Sequence, residues 1–314
     1  MPIRHRLLAG LVAVLWGLNF LAIHASLEQF PPYFLVALRW TLIAVPTVLL
    51  VPRPQVPLRW LLGYGLGFGV LQFAFLYSAM DAGMPTGLAS LVLQSSAPFT
   101  VLLGVLVGER LTPTRALGVV VAVTGLVIVG SQRVGGAAWW PFVLTLCGGL
   151  GWAVGNLSSK LARPPKPLHL TLWMTVVPPV PMLGLSLLVE GPRQIVDSVA
   201  TSGSAWAAWT GLLYTCVLGS VAGSGIWTWL IARHPASTVA PYSMLVPVVG
   251  LSAAWIALGE RPGNIELLGC AVVVSGVLLT SRTPGRPVKS ASAVGPGEET
   301  AHRKHTTASA VLHR

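Results

Sequence analysis

Ten runs of about twenty mostly apolar residues succeed one another along this chain, broken by proline, glycine and charge. They cover about 7–27, 33–51, 60–80, 86–107, 114–130, 138–159, 168–189, 205–231, 237–258 and 264–280. A run of that length spans the hydrocarbon core of a bilayer as an α-helix. Inside lipid every backbone N–H and C=O must be bonded within the protein, so only helices and closed barrels can cross. The strand-type alternation of a barrel is absent, which leaves helices. The chain is therefore expected to be an all-α integral membrane protein with ten transmembrane helices. Its charge supports this: 9% of residues are Asp, Glu, Lys or Arg, against about 25% in soluble domains. The 34 Gly and 25 Pro also suit membrane helices better than soluble ones. The run 168–189 is the least regular, with Pro178, Pro179 and Pro181 inside it.

The net charge of +11 raises the question of nucleic acid, and the position of the cations answers it. With the N-terminus inside, sixteen Lys and Arg fall in inner segments; Arg133, Arg193 and Arg261 fall outside; Arg39 lies within a run. That is the positive-inside bias, and it predicts both termini in the cytoplasm and no nucleic-acid partner. Residues 1–26 also fit a signal peptide, with a basic start and Ala25 as a small cleavage-site residue. The run to Leu27 is long for a signal core, and cleavage would remove the first helix of a repeat.

The repeat has an offset of 151 over the last two helices of each half. Gly108-Glu109-Arg110 matches Gly259-Glu260-Arg261, Leu117-Gly118 matches Leu268-Gly269, and Thr124-Gly125 matches Ser275-Gly276. Trp16 and Asn19 have rough counterparts in Trp152 and Asn156. Five spans per half send the second half into the membrane from the opposite side. Such inverted repeats belong to secondary transporters, whose site lies between the repeats near the midplane. The expected organisation is a first five-helix repeat over 7–131, a second over 138–281, and a disordered basic tail over 282–314 that can touch anionic lipid.

Several stretches carry a resemblance. They are Leu15-Trp16-Gly17-Leu18-Asn19-Phe20, the segment Gly83-Met84-Pro85-Thr86-Gly87-Leu88-Ala89-Ser90-Leu91-Val92-Leu93-Gln94, Gly108-Glu109-Arg110-Leu111, and Val239-Ala240-Pro241 followed by Leu245 to Leu251. Over about 7–281 the chain resembles the EamA family of the drug/metabolite transporter superfamily, in particular bacterial exporters of O-acetylserine and cysteine. The resemblance implies a ten-helix inner-membrane carrier that exports small metabolites by alternating access. It also implies a central cavity lined by the first, third, fourth, sixth, eighth and ninth helices.

Polar groups in hydrocarbon are costly, so each one needs a reason. Trp16, Asn19, Phe20 and Ile23 share a helix face; Asn19 and its counterpart Asn156 either bond a substrate or tie helices together. Thr86, Ser90 and Gln94 form a stripe with a spacing of four, expected to face a wet cavity. Arg39 either holds a substrate carboxylate or, as the structural reading favoured here has it, snorkels to the interface or bonds helix carbonyls. His24 is expected at the interface. Tyr242 lies beside Pro241, whose ring frees a backbone carbonyl one turn earlier, and Trp227 joins them on the eighth helix. The expected cavity residues are thus Trp16, Asn19, Arg39, Ser90, Gln94, Asn156, Trp227 and Tyr242.

The glycine pairs Gly104/Gly108, Gly151/Gly155 and Gly219/Gly223 are expected to let helices approach closely. Gly118/Gly125 and Gly269/Gly276 put the fifth helix against the tenth, in a scaffold or homodimer role. The two Glu-Arg pairs are expected to fix helix ends at the interface. Cys147, Cys216 and Cys270 lie in apolar runs without disulfide or metal spacing. None of the nine acids falls at the middle of a run, so a carboxylate proton relay is not expected. No phosphate-binding loop, catalytic constellation or cofactor motif is legible. The function expected is a secondary transporter for amino acids or related small metabolites. Another small-molecule cargo on the same fold, such as a sugar, a nucleotide precursor or a drug-like compound, is the alternative; a membrane-embedded enzyme would belong to a different class.

Overall fold

The computed structural model describes residues 1–132, 139–234 and 236–281; Arg133 and the expected tail 282–314 lie outside them. Among the described residues ten helices are long and apolar enough to cross a membrane. They are α1 Ile3–Leu27, α2 Pro32–Leu50, α3 Leu58–Asp81, α4 Thr86–Leu106, α5 Pro113–Ser131, α6 Trp139–Ala162, α7 Pro167–Val189, α8 Trp206–Arg233, α9 Ala240–Leu258 and α10 Asn264–Ser281. A short helix, Gly191–Ala200, lies between α7 and α8. Each span stands within a few residues of the run that foretold it.

Proline sets several starts. Pro32, Pro113 and Pro167 occupy first helical positions, where a missing N–H costs nothing. Gly108 and Gly259, the glycines of the repeated Gly-Glu-Arg motif, have φ of 93° and 69°, and they turn the chain out of α4 and α9. The three prolines of α7 leave it crossing the membrane in two pieces, with a 3₁₀ turn at Met174–Val176 before Pro179.

The main packing joins the two halves of the chain. α1 lies on α8 and α9, α6 on α3 and α4, α2 on α7, α4 on α9, and α5 on α10. Exchanging α1–α5 with α6–α10 maps this set of pairs onto itself. The α5–α10 seam is a backbone contact: a Cβ at Gly118 would stand 2.6 Å from the Thr280 nitrogen, and one at Gly125 2.6 Å from that of Val273. The seam is closed within one chain, so these glycines are not a free dimer face. Gly151 and Gly155 bring α6 against Gly67, Phe68 and Gln72 of α3 in the same way. Gly104 and Gly108 do not pack a neighbouring helix: Gly104 faces the Glu109 carboxylate, and nothing stands near Gly108.

Two π-helical segments interrupt the spans, Gly65–Gln72 in α3 and Thr215–Ala222 in α8. π-segments are rare and collect at functional sites. Each presents a glycine carbonyl to an indole: Trp40 Nε1 donates to Gly69 O and Trp16 Nε1 to Gly219 O, both at 2.9 Å. The outer faces of the helices carry the apolar residues that meet lipid, among them Leu49, Leu106, Leu188 and Ile256.

Candidate functional site

A cavity of about 730 Å³ opens between the halves. Its inner end lies about halfway along the helices, between Asn19 of α1, Arg39 of α2, Gln72 of α3 and Gln94 of α4. From there it runs toward the end of the bundle that carries the N-terminus and the α6–α7 connection, past Thr100, Asn156 and Lys160 to Leu168 and Ser281. At the opposite end Phe30, Leu35 and Leu212 are fully buried and pack the bundle shut. Both π-segments contribute to the wall, through Phe68 and Gln72 on one side and Gly219 to Val221 on the other.

Seven of the eight residues expected from the sequence stand on this wall. Trp16 and Trp227 pack ring to ring at 5.2 Å, and the Trp16 indole is anchored on Gly219. Asn19 is buried, with its Oδ1 lacking a hydrogen-bond partner. Ser90 donates to the Gly87 carbonyl at 2.6 Å, and Gln94 Nε2 lies 3.8 Å from Met244 Sδ. Asn156 Nδ2 donates to the Thr100 hydroxyl at 3.3 Å.

Tyr242 is the exception. It lies in the 3₁₀ segment Ala240–Met244, where residues three apart are eclipsed. Ala240 and Ser243 therefore share the cavity face, and Tyr242 is rotated away, beside an apolar cluster of Ala9, Leu230 and Val239. The stripe on α4 also divides. Ser90 and Gln94 reach the cavity, whereas Thr86 is buried at the start of the helix and does not line it.

Arg39 departs from the structural reading favoured for it. It neither snorkels nor bonds helix carbonyls: it is 3% exposed, Nη1 donates to the Tyr77 hydroxyl at 3.0 Å and Nη2 to the Ser220 hydroxyl at 2.9 Å. Its guanidinium sits 4.0 Å above the Phe73 ring and 4.6 Å from that of Trp40, a favourable cation–π setting. Among the described residues no carboxylate pairs with it. His24 lies outside the cavity, half-exposed, 3.7 Å from Glu28.

The sequence offers Gln72 as a polar residue of the third run without marking it for the cavity, and it gives no cavity assignment to Thr100, Lys160 or Ser220, yet all four line it. Gln72 is 3% exposed, with Oε1 unpartnered. Lys160 at the mouth pairs with Glu109 at 2.6 Å. A polar side chain inside an apolar run was the available signal for Gln72 and Ser220. Lys160 sits at a helix end, where any basic residue looks interfacial.

The two glutamates of the repeated motif do more than fix their own helix ends. Glu260 caps α4, accepting from the Thr86 and Gly87 amides at 2.8 and 2.9 Å. Glu190 caps α2 in the same manner, accepting from Tyr33 at 2.6 Å and Phe34 at 3.0 Å. Glu109 receives Lys160.

The cavity wall therefore carries one cation without a carboxylate partner, Arg39, and at its mouth Lys160, which Glu109 pairs; among the described residues no Asp or Glu lines it. Such a wall favours a solute that brings its own negative group. No described group of three His, Cys, Asp or Glu could hold a metal.

The EamA-like transporter family pattern matches residues 5–131 and, a second time, 139–282. The chain belongs to the EamA-like transporter family. It is 39% identical over 279 residues to a protein of Escherichia coli K12 described as a "Probable amino-acid metabolite efflux pump", across 87% of this chain and 93% of that protein. The counterpart of the same description in Salmonella typhimurium LT2 is 41% identical over the same shares. A "Probable terminal-alkyne amino-acid exporter" of Streptantibioticus cattleyicolor is 28% identical, across 88% of this chain and 96% of its own. A crystal structure sharing 19% identity covers 89% of this chain and 98% of its own with a TM-score of 0.60, and so shares the fold. This EamA-family chain is a multi-pass bacterial-type membrane transporter.

Proposed function

We propose that this transporter exports amino acids or closely related small metabolites, and that the cavity is where they bind. One observation carries the reading: a cavity of about 730 Å³, inside the ~300–1,000 Å³ range of small-molecule sites, has a cationic and amide-lined wall with no acid among the described residues. Trp16, Asn19, Arg39, Ser90, Gln94, Asn156 and Trp227 are proposed to line the bound solute, and the relatives named as amino-acid exporters support the cargo class.

The transport cycle proposed is alternating access between two inverted repeats, within 7–131 and 138–281. The double family match, the exchange-symmetric packing and the paired π-segments all support it. The charge bias supports a cytoplasmic open end with both termini there, in which case the cavity faces the compartment from which an exporter loads. Cationic drug-like cargo is disfavoured by Arg39, which no described carboxylate pairs.

Efflux from membrane vesicles loaded with labelled amino-acid metabolites, with and without an uncoupler, tests the reading. Protein-dependent efflux of small amino acids is expected. Efflux of sugars or organic cations alone would refute it.

A further inference from the structure

The most unusual group in the cavity wall is Arg39. Burying a cation in a low-dielectric interior is tolerated when an opposite charge or a full set of acceptors compensates it. A guanidinium has five N–H donors. Among the described residues Tyr77 and Ser220 accept one each, Nε has no partner, and no carboxylate lies within ion-pair distance. The two hydroxyl bonds come from α3 and α8, and the rings of Trp40 and Phe73 fix the plane of the group. Arg39 is thus held rigidly at the inner end of the cavity, with three N–H donors unspent and no described counter-charge. The same wall carries two buried amides, Asn19 and Gln72, whose oxygens also lack partners.

We infer that Arg39 is the anchor for a substrate carboxylate and decides the cargo class: the transporter takes solutes with a free carboxylate and rejects the ester or amide of the same molecule. The inference rests on the reading of this cavity as the transport site. A carboxylate matches the planar fork of a guanidinium bidentately and supplies the missing counter-charge. A methyl ester or primary amide leaves the cation buried and unpaired, which is how a site built for one polar group discriminates most strongly. Tyr77 and Ser220 act as positioning residues, holding the guanidinium against the rings.

The test uses the full-length protein in liposomes. Uptake of a labelled small amino acid is competed with the free acid, the methyl ester and the primary amide of that amino acid, and a labelled hydroxy acid is followed in parallel. In the wild type the free acid is expected to compete about ten- to hundredfold better than the ester or amide. Arg39→Gln is expected to lose that ratio, bringing acid and ester level. Arg39→Lys keeps a point charge and is expected to retain a reduced ratio, which a purely structural arginine would not produce. Equal competition by acid and ester in the wild type overturns the anchor, whether or not any variant folds. So does an unchanged ratio in Arg39→Gln. If amino acids are not carried but the hydroxy acid is, and its transport is lost in Arg39→Gln, the amino-acid reading fails and the anchor stands. If neither solute is carried, both fail.

Discussion

Replacing Glu260 tests whether a carboxylate far away in sequence holds the start of α4. Its two oxygens accept from Thr86 N and Gly87 N at 2.8 and 2.9 Å, across 174 and 173 positions. Pro85, the residue at the cap position, offers no side-chain acceptor, so the first turn depends on this distant group. Glu260→Gln keeps one oxygen and turns the other into a donor facing an N–H. One amide then loses its partner, at a cost of about 1–3 kcal/mol. The charge that complements the positive end of the helix is lost too, worth about 0.3–1 kcal/mol. Together these predict a destabilisation of about 1.3–4 kcal/mol, with Glu260→Ala toward the upper end. Thermal unfolding of purified protein in detergent reads it globally, through reaction of the buried Cys216 and Cys270 with a thiol dye. Hydrogen exchange reads it locally: for a loss of ~2 kcal/mol the first turn of α4 should exchange about thirtyfold faster. Glu190→Gln should instead loosen the start of α2, whose Tyr33 and Phe34 amides it holds. Glu28→Gln, with a side chain 68% exposed, should stay within about 0.5 kcal/mol of wild type. Wild-type melting together with wild-type protection of α4 in Glu260→Ala would refute the capping role.

Gly276→Ala places a Cβ on the backbone of Ala122, 2.6 Å from its Cα. It should force α5 and α10 apart at about 1–3 kcal/mol, measured by melting against Gly10→Ala, which meets nothing within 4 Å. Gln94→Cys should be modified by water-soluble thiol reagents applied from the N-terminal side of the membrane; inaccessibility from both sides would remove Gln94 from the cavity wall. A topology reporter fused after Ser281 should read cytoplasmic, and a periplasmic reading would invert the orientation drawn from charge. His5 Nδ1 and His234 Nε2 meet at 2.6 Å, and lost hydration, then His5, the amino terminus and Arg233, hold the His234 pKa below its usual 6.5. The contact is therefore complete above about 6.5 and lost as pH falls through the lower native value. Exchange of the first turn of α1 should rise on acidification, and His234→Gln should abolish that step.

The ten spans were legible because hydropathy accumulates locally: each helix bonds its own backbone and needs only its own run of apolar residues. The face shared by Trp16, Asn19, Phe20 and Ile23 was legible for a similar reason, since helical spacing fixes which residues point together, and all four reach the cavity. Tyr242 was chosen for its place beside Pro241, and the 3₁₀ turn there puts Ala240 and Ser243 rather than Tyr242 on the cavity face. Arg39 misled because its depth from a helix end allowed snorkelling, and only packing shows that Tyr77 and Ser220 hold it inward.

The sequence by itself thus determined that this chain crosses a membrane ten times and which residues within each helix share a face. It also supplied a charge bias from which an orientation can be proposed. All of these follow from properties additive along a helix. Tertiary structure alone decided how those helices become a transport cavity: which carboxylates cap α2 and α4, where the π-segments widen α3 and α8, and what surrounds Arg39. Those depend on partners 38 to 181 positions apart for Arg39 and 156 to 174 apart for the caps. No local pattern encodes such pairings, because the free energy that selects them comes from satisfying buried polar groups once the helices have packed.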